Sequence, residues 1–293
     1  MGSIAASLFS THVPRLMITD PEKRKEYMRS SVTTFYDVLP QIREERIAPL
    51  DFDTFLIIDT HWHSTLEWIV NAHQRHEGIY TSDEIPWMIH EYAYDYPGDP
   101  ELALLIAQEC AASGIWALAS AHRGLPIHYG TLNPMHYYNP GPDKKRVLPI
   151  SVCDTAEVGA NLRFGEAIAR AIARSDRRVL FVASGGMSHR FWPLAVIRER
   201  ASADPGDING ERLRAWDERI MAWWRAGDHA GVLANADEFR QECSPEGRFA
   251  HYLALAGAMG GAAWTEPGVQ YGAYEAAIGT GQSNFWFPCR TSS

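Results

Sequence analysis

The stretch FLIIDTHWHS, residues 55–64, sets a strongly apolar, partly β-branched run directly before two histidines. Phe55, Leu56, Ile57 and Ile58 are apolar without alternation, the pattern of a parallel strand covered on both faces. Asp59, Thr60, His61, Trp62 and His63 then fall at the carboxyl end of that strand, where open α/β sheets place their ligand sites.

Outward from this run, short apolar segments alternate with amphipathic ones. Strands are expected over 4–9, 54–59, 116–120, 147–152 and 178–183, and helices over 22–46, 100–113, 161–174 and 210–226. The helix after residue 99 is the best marked: Asp99 can cap it, Pro100 suits its first turn, Leu102, Leu105 and Ile106 share a face, and Gly114 can end it. The alternation predicts an α/β fold, a central mostly parallel sheet flanked by helices, with a metal site at the strand carboxyl ends. No repeat, low-complexity tract or linker divides the chain, so residues 1–293 are expected to form a single catalytic domain; the turn-rich stretches 139–145 and 202–210 read as surface loops.

The composition narrows the function classes. With 293 residues, 46% hydrophobic and 22% charged, the chain can bury a full core. A net charge of -9 and the absence of a basic block beyond residues 22–25 argue against a nucleic-acid binder. No window holds eighteen uncharged apolar residues, and the N-terminus lacks the basic region and long apolar core of a signal peptide, so a soluble, cytoplasmic protein without membrane contact is expected. Cys110, Cys153, Cys243 and Cys289 are widely spaced with no CxxC, the pattern of reduced structural thiols rather than a thiolate zinc site.

The histidines form a pattern of their own. His12 follows the first strand, His61 the second, and His189 follows RVLFVASGGMS, so three strands each deliver a histidine to one edge of the sheet. A lone histidine at a strand end is ordinarily structural; three together point to a site. Two histidines and a carboxylate on one face of iron(II) leave positions open for substrate and dioxygen. The acid candidates are Glu266 and Glu275, and Glu275 is preferred because it lies between Tyr274 and small residues, a poor setting for a merely solvated charge.

THVPR at 11–15, DTHWH at 59–63, HEGIYTSDEIP at 76–86, HYGTLNPM at 128–135, ASGGMSHRF at 183–191 and GTGQSN at 279–284 together resemble the class III extradiol ring-cleaving dioxygenases, the protocatechuate 4,5-dioxygenase superfamily, most closely its homoprotocatechuate 2,3-dioxygenase and lignin-biphenyl-cleaving branch. The resemblance implies iron(II) held by His12, His61 and a late glutamate that falls on Glu275, with His189 as the acid-base histidine. It implies meta-cleavage of a substituted catechol with O2 to a ring-opened semialdehyde. Many relatives carry a histidine immediately before the glycine that Gly130 matches; here Tyr129 stands there, preceded by His128.

The remaining polar residues are then read against this chemistry. His122 and His128 flank a turn and are candidates for a further acid-base or substrate-contacting group, with Tyr129 a substrate contact. Arg15, three residues after His12, is shaped to hold a carboxylate in two hydrogen bonds, which predicts an acidic catechol from lignin or aromatic-acid breakdown. His63, His73, His76 and His90 are expected to be structural or exposed, and Trp216, Trp223 and Trp224 to pack a helix face, a pattern that also makes a homo-oligomer plausible. The glycines of GTGQ and the pair Gly185–Gly186 form no phosphate-binding fingerprint and suit close backbone approach to the site. The competing readings are a zinc-dependent hydrolase and a non-catalytic binding protein of the same superfamily.

Overall fold

The strand around Phe55 is longer than its apolar core. In the computed structural model, which describes residues 1–18, 20–26 and 32–289, it runs over Thr54–Ser64. Its side chains alternate between two packing layers: Leu56 and Ile58 enter one apolar cluster, Phe55 and Ile57 the other. Both faces are therefore covered, which is why the sequence shows no alternation of polarity there.

The strands are β1 (Ser3–Ser10), β2 (Thr54–Ser64), β3 (Trp68–Asn71), β4 (Arg75–Tyr80), β5 (Tyr92–Pro97), β6 (Ala117–Ser120), β7 (Arg146–Cys153), β8 (Arg178–Ser184), β9 (Val269–Ala277) and β10 (Thr280–Pro288). Eight of them form a sheet in the order β6-β3-β7-β2-β8-β1-β10-β9, while β4 and β5 pair as a separate hairpin. The centre of the sheet is parallel, β7 with β2, β2 with β8 and β8 with β1; β10 and β9 add antiparallel strands at one side. Ser184 of β8 is in register with both Ser10 of β1 and Asp59 of β2, so three adjacent strands reach their carboxyl ends at the same level.

The helices are α1 (Pro21–Glu26), α2 (Phe35–Ile42), α3 (Pro100–Ala112), α4 (Tyr129–Tyr138), α5 (Val158–Arg174), α6 (Glu211–Ala226), α7 (His229–Ala234), α8 (Ala236–Cys243) and α9 (Ala250–Ala258). One sheet face packs against α3, α5, α6 and α9 through residues such as Ile106, Phe164, Trp224 and Tyr252; the other packs against α2 and α4 through Phe35, Leu39, Leu132 and Met135. Asp99 caps α3 as expected, its Oδ1 accepting from the Leu102 N–H at 3.1 Å. Trp216 and Trp224 are buried in the core, in keeping with a packing role for that helix face.

The single helix expected over 22–46 is interrupted. Residues 32–34 are not helical, and α2 begins only at Phe35 and passes into a wider π turn over Arg43–Ile47; the expected stretch 27–31 lies outside the described residues. The four cysteines are free thiols. Among the described residues no helix is long and apolar enough to cross a membrane.

Candidate metal centre and active site

The level strand ends at Ser10, Asp59 and Ser184 are the floor of the site. His12 lies two residues beyond β1 and is buried. His61 lies inside an irregularity of β2: Asp59 pairs with Ser151 of β7, but the next paired residue is His63, opposite Val152. The extra residues 60–62 bulge out of the ladder, and such a bulge re-aims side chains next to a site. Asp59 holds the bulge, its Oδ1 accepting from the His61 N–H at 2.8 Å and its Oδ2 from the Thr131 hydroxyl at 2.7 Å.

The third ligand candidate is Glu246. His12, His61 and Glu246 place one nitrogen or oxygen each within 4.8 Å of one another. Glu246 Oε1 lies 2.8 Å from His12 Nε2 and 3.3 Å from His61 Nε2. The same oxygen accepts from the Thr60 hydroxyl at 2.7 Å, and Oε2 accepts from the Gly186 N–H at 2.5 Å. Burial alone would push the Glu246 carboxyl up, yet the charges and hydrogen bonds of His12, His189 and His61 hold it well below the usual carboxylate range.

The expectation for Glu275 is thereby corrected. Glu275 is buried, as its neighbours suggested, but its Oε1 accepts from the Thr34 N–H at 2.9 Å and the Thr34 hydroxyl at 2.6 Å, and its charge acts on Arg15. Its partners are a helix start and an arginine, and it is not part of the cluster with His12 and His61. Glu246 escaped the sequence reading because it sits on neither a strand nor a strand end: it opens the short turn Glu246–Phe249 between α8 and α9. The signal that could have found it is Ser244-Pro245-Glu246-Gly247 set two residues before the largely apolar helix α9. Gly247 has φ +52°, and a Cβ there would meet Thr60 Cγ2 at 2.6 Å, so only glycine lets this turn approach β2 closely.

The hydrogen bonds also fix which imidazole nitrogen of His12 faces the cluster. Ser184 Oγ lies 2.5 Å from the Gly130 carbonyl, which can only accept, so the single Ser184 proton goes there. Ser184 must then accept from His12 Nδ1–H at 2.8 Å, so Nε2 is the nitrogen aimed at Glu246. An imidazole nitrogen and an ionised carboxylate facing each other at 2.8 Å are placed to share a proton or a metal ion, and imidazole with carboxylate suits iron(II) and zinc alike. The donor set fits a metal.

His189, the residue after the Asp217-clamped Ser188, lines the same cavity. Asp217 of α6 accepts from the Ser188 N–H at 3.0 Å and hydroxyl at 2.6 Å, and from the Tyr274 hydroxyl at 2.5 Å. His189 Nδ1 lies 3.5 Å from Glu246 Oε2. Burial lowers the His189 pKa; Glu246 opposes this and the other two histidines reinforce it. Tyr129, the first residue of α4, places its hydroxyl 2.6 Å from His61 Nε2 and 3.2 Å from Glu84 Oε2. Burial and the carboxylates of Glu84 and Glu246 push its pKa up, so the phenol keeps its proton.

The other expected residues divide. Arg15 lines the cavity, with burial lowering its pKa and Tyr36 and Glu275 raising it. His122 and His128 do not line it, against the expectation of an acid-base role: His122 is exposed and its carbonyl accepts from His73, while His128 precedes α4 and packs its ring against Trp62 at 6.3 Å. The GTGQ segment braces the site from behind, the Gln282 amide accepting from the Thr11 hydroxyl at 2.5 Å.

Residues 6–282 match the family described as the catalytic LigB subunit of aromatic ring-opening dioxygenase. The chain is 31% identical to 3,4-dihydroxyphenylacetate 2,3-dioxygenase of Escherichia coli over 89% of its own length and 91% of that protein's. It is 27% identical to the 4,5-DOPA dioxygenase extradiol of Beta vulgaris, covering 64% of this chain and 65% of that one. An uncharacterized protein of Escherichia coli K12 shares the fold with a TM-score of 0.63 at 14% identity, over 97% of this chain and 99% of that one. Since the matched span contains every residue that builds the cluster at the strand ends, the chain belongs to the LigB family of aromatic ring-opening dioxygenases.

Proposed function

We propose that this protein is an iron(II)-dependent extradiol dioxygenase that meta-cleaves a substituted, carboxylate-bearing catechol derived from lignin or aromatic acids. The observation that carries the reading is the convergence of His12, His61 and Glu246 beside His189 and Tyr129 on one cavity of about 750 Å³. Both atoms of O2 enter the product, a ring-opened semialdehyde, so the reaction balances without an external reductant.

His12, His61 and Glu246 would hold the iron, which when bound supplies Lewis acidity toward the catechol hydroxyls and the electronic means to use dioxygen. The residues around it handle protons and position. The Glu246 carboxylate near His189 Nδ1 favours the proton on that nitrogen, leaving Nε2 as the basic site that takes a catechol proton and later returns it. Tyr129, protonated and beside His61, donates a hydrogen bond to a substrate oxygen. Arg15 supplies positive potential at the inner wall for an acidic substituent.

The reading is tested by loading the protein anaerobically with iron(II) and measuring oxygen uptake and semialdehyde formation over a panel of catechols. Uptake of one O2 per catechol with iron, and none with zinc, is the expected result. Hydrolysis of an ester or amide by the zinc form, without oxygen uptake by the iron form, would overturn it.

A further inference from the structure

Asp217 is an acid that the proton chemistry described above does not use. It is fully buried on α6, and among the described residues no lysine, arginine or histidine forms an ion pair with it. A buried carboxyl without a cation costs stability, so what it holds is informative. Its partners are two atoms of one residue and a phenol: the N–H and hydroxyl of Ser188, at 3.0 and 2.6 Å, and the Tyr274 hydroxyl at 2.5 Å. Both oxygens of Asp217 thus grip Ser188, the residue before His189. Gly281 of β10 makes room for the grip, because a Cβ there would overlap Asp217 Oδ2 and come within 2.7 Å of the Tyr274 hydroxyl.

His189 has little on its ring to fix it. Its Nδ1 is buried and makes no hydrogen bond among the described residues, with Glu246 Oε2 3.5 Å away. Phe191 meets the ring edge-on, with 4.8 Å between centroids. The imidazole is therefore aimed largely by its own backbone, and that backbone is tied down. The Met187 N–H donates to the Gly281 carbonyl at 2.9 Å, the Gly281 N–H to the Ser188 carbonyl at 2.9 Å, and the His189 N–H to the Cys243 carbonyl at 3.2 Å. These are main-chain bonds open to any side chain. The Asp217 grip on Ser188 is the part that particular side chains supply.

We infer that Asp217 is a positioning residue for ring cleavage, acting through Ser188 to hold His189 where it takes and returns the catechol proton. The inference rests on the dioxygenase reading above for the proton that His189 moves. The geometry anchors the base to a packed helix, so its aim does not depend on the exposed stretch that follows β8.

The test uses full-length protein carrying Ser188→Ala, Asp217→Ala or Asp217→Asn, each alone and with His189→Ala. Ser188→Ala removes the hydroxyl bond and keeps the N–H bond, and should lower kcat about 10-fold, since a displacement of about 1 Å costs on the order of 100-fold. The Kd values for iron(II) and for catechol, both measured without oxygen, should stay within about 2-fold, because the metal ligands are untouched. Asp217→Ala should cost about 100-fold, and Asp217→Asn, which keeps the grip through its amide, less than about 3-fold. Should Asp217→Ala fail to fold, Ser188→Ala still decides. In the His189→Ala background Ser188→Ala should cost nothing further, since its effect passes through an imidazole no longer present. A readout free of turnover is histidine-selective NMR of the zinc(II)-loaded protein. There the His189 signal, identified by its loss in His189→Ala, should shift or broaden in Ser188→Ala while those of His12 and His61 hold. An unchanged kcat in Ser188→Ala, an equal loss in both backgrounds, or an unmoved His189 signal overturns the assignment. If the parent takes up no oxygen, the dioxygenase reading fails, and the NMR signal alone decides whether the grip positions His189.

Discussion

Exchanging Glu246 for glutamine removes one charge and one acceptor while leaving the side-chain volume unchanged. Both carboxylate oxygens now accept: Oε2 from the Gly186 N–H and Oε1 from Thr60, facing His12 Nε2. An amide nitrogen on the Oε2 side would meet the Gly186 N–H, donor against donor, so the amide must turn its NH2 toward Oε1. There the Thr60 hydroxyl can point instead to the Ser184 carbonyl, 3.0 Å away, and the NH2 donates to His12 Nε2. The glutamine thus occupies the nitrogen that the metal needs, as well as withdrawing a ligand charge. Changes to residues that merely support metal ligands cost about 10- to 100-fold in affinity, and loss of a ligand should exceed that, weakening iron(II) by more than about 100-fold, or about 2.7 kcal/mol. Glu275→Gln keeps a carbonyl for Thr34 and should bind iron as the parent does. Anaerobic iron(II) titration with metal analysis of both variants decides the matter. Full iron occupancy in Glu246→Gln, or its loss in Glu275→Gln, would refute the assignment of the third ligand.

Three further outcomes follow from the same geometry. Ser184→Ala removes the acceptor that fixes the His12 tautomer and should weaken metal binding by about 10- to 100-fold without changing the fold, seen as a raised iron(II) Kd with unchanged circular dichroism. His189→Ala should keep iron and bind catechol anaerobically while kcat falls about 100- to 10,000-fold; loss of the metal would make His189 a ligand instead. Burial pushes the Asp217 carboxyl up to about 7 against the lowering effect of its bonds to Ser188 and Tyr274. The folded state therefore holds this proton more tightly than the unfolded state, and between the ordinary carboxyl value near 4 and about 7 the Asp217 contribution to stability is lost as pH rises, by at most about 1.4 kcal/mol per pH unit. Asp217→Asn, a neutral isostere whose amide suits the same partners, should flatten that part of the curve; denaturation midpoints at pH 5 and pH 7 that fall equally in parent and variant would show that Asp217 does not titrate there.

Much of the architecture was legible because burial on both faces writes itself into a strand as an unbroken apolar run. Phe55 to Ile58 announced a central strand, and the same reasoning located the parallel core and the histidines at its carboxyl edge, since a residue just past a strand end cannot lie far from that edge. The antiparallel β9 and β10 left no such run, because Gln270 and Glu275 interrupt the one and Gln282, Ser283 and Asn284 the other. The third ligand was not legible for a different reason. His12 and Glu246 are separated by 234 residues, and Glu246 reaches the site only because α8 and α9 pack on the sheet and aim the turn between them at β2.

Local sequence established that Glu275 was buried, and it was; burial alone does not name the partner, which proved to be Thr34 with the nearby charge of Arg15. Position 129 shows the same limit on a smaller scale. His128 and Tyr129 are adjacent in sequence, but His128 is the extended cap residue before α4 and Tyr129 its first helical residue, so the chain turns between them: Tyr129 faces the site and His128 packs on Trp62. Periodicity and strand ends are properties of the chain itself. Which carboxylate meets two histidines, and which wall an arginine stands on, depend on how separate elements dock, and that is decided only when the core closes.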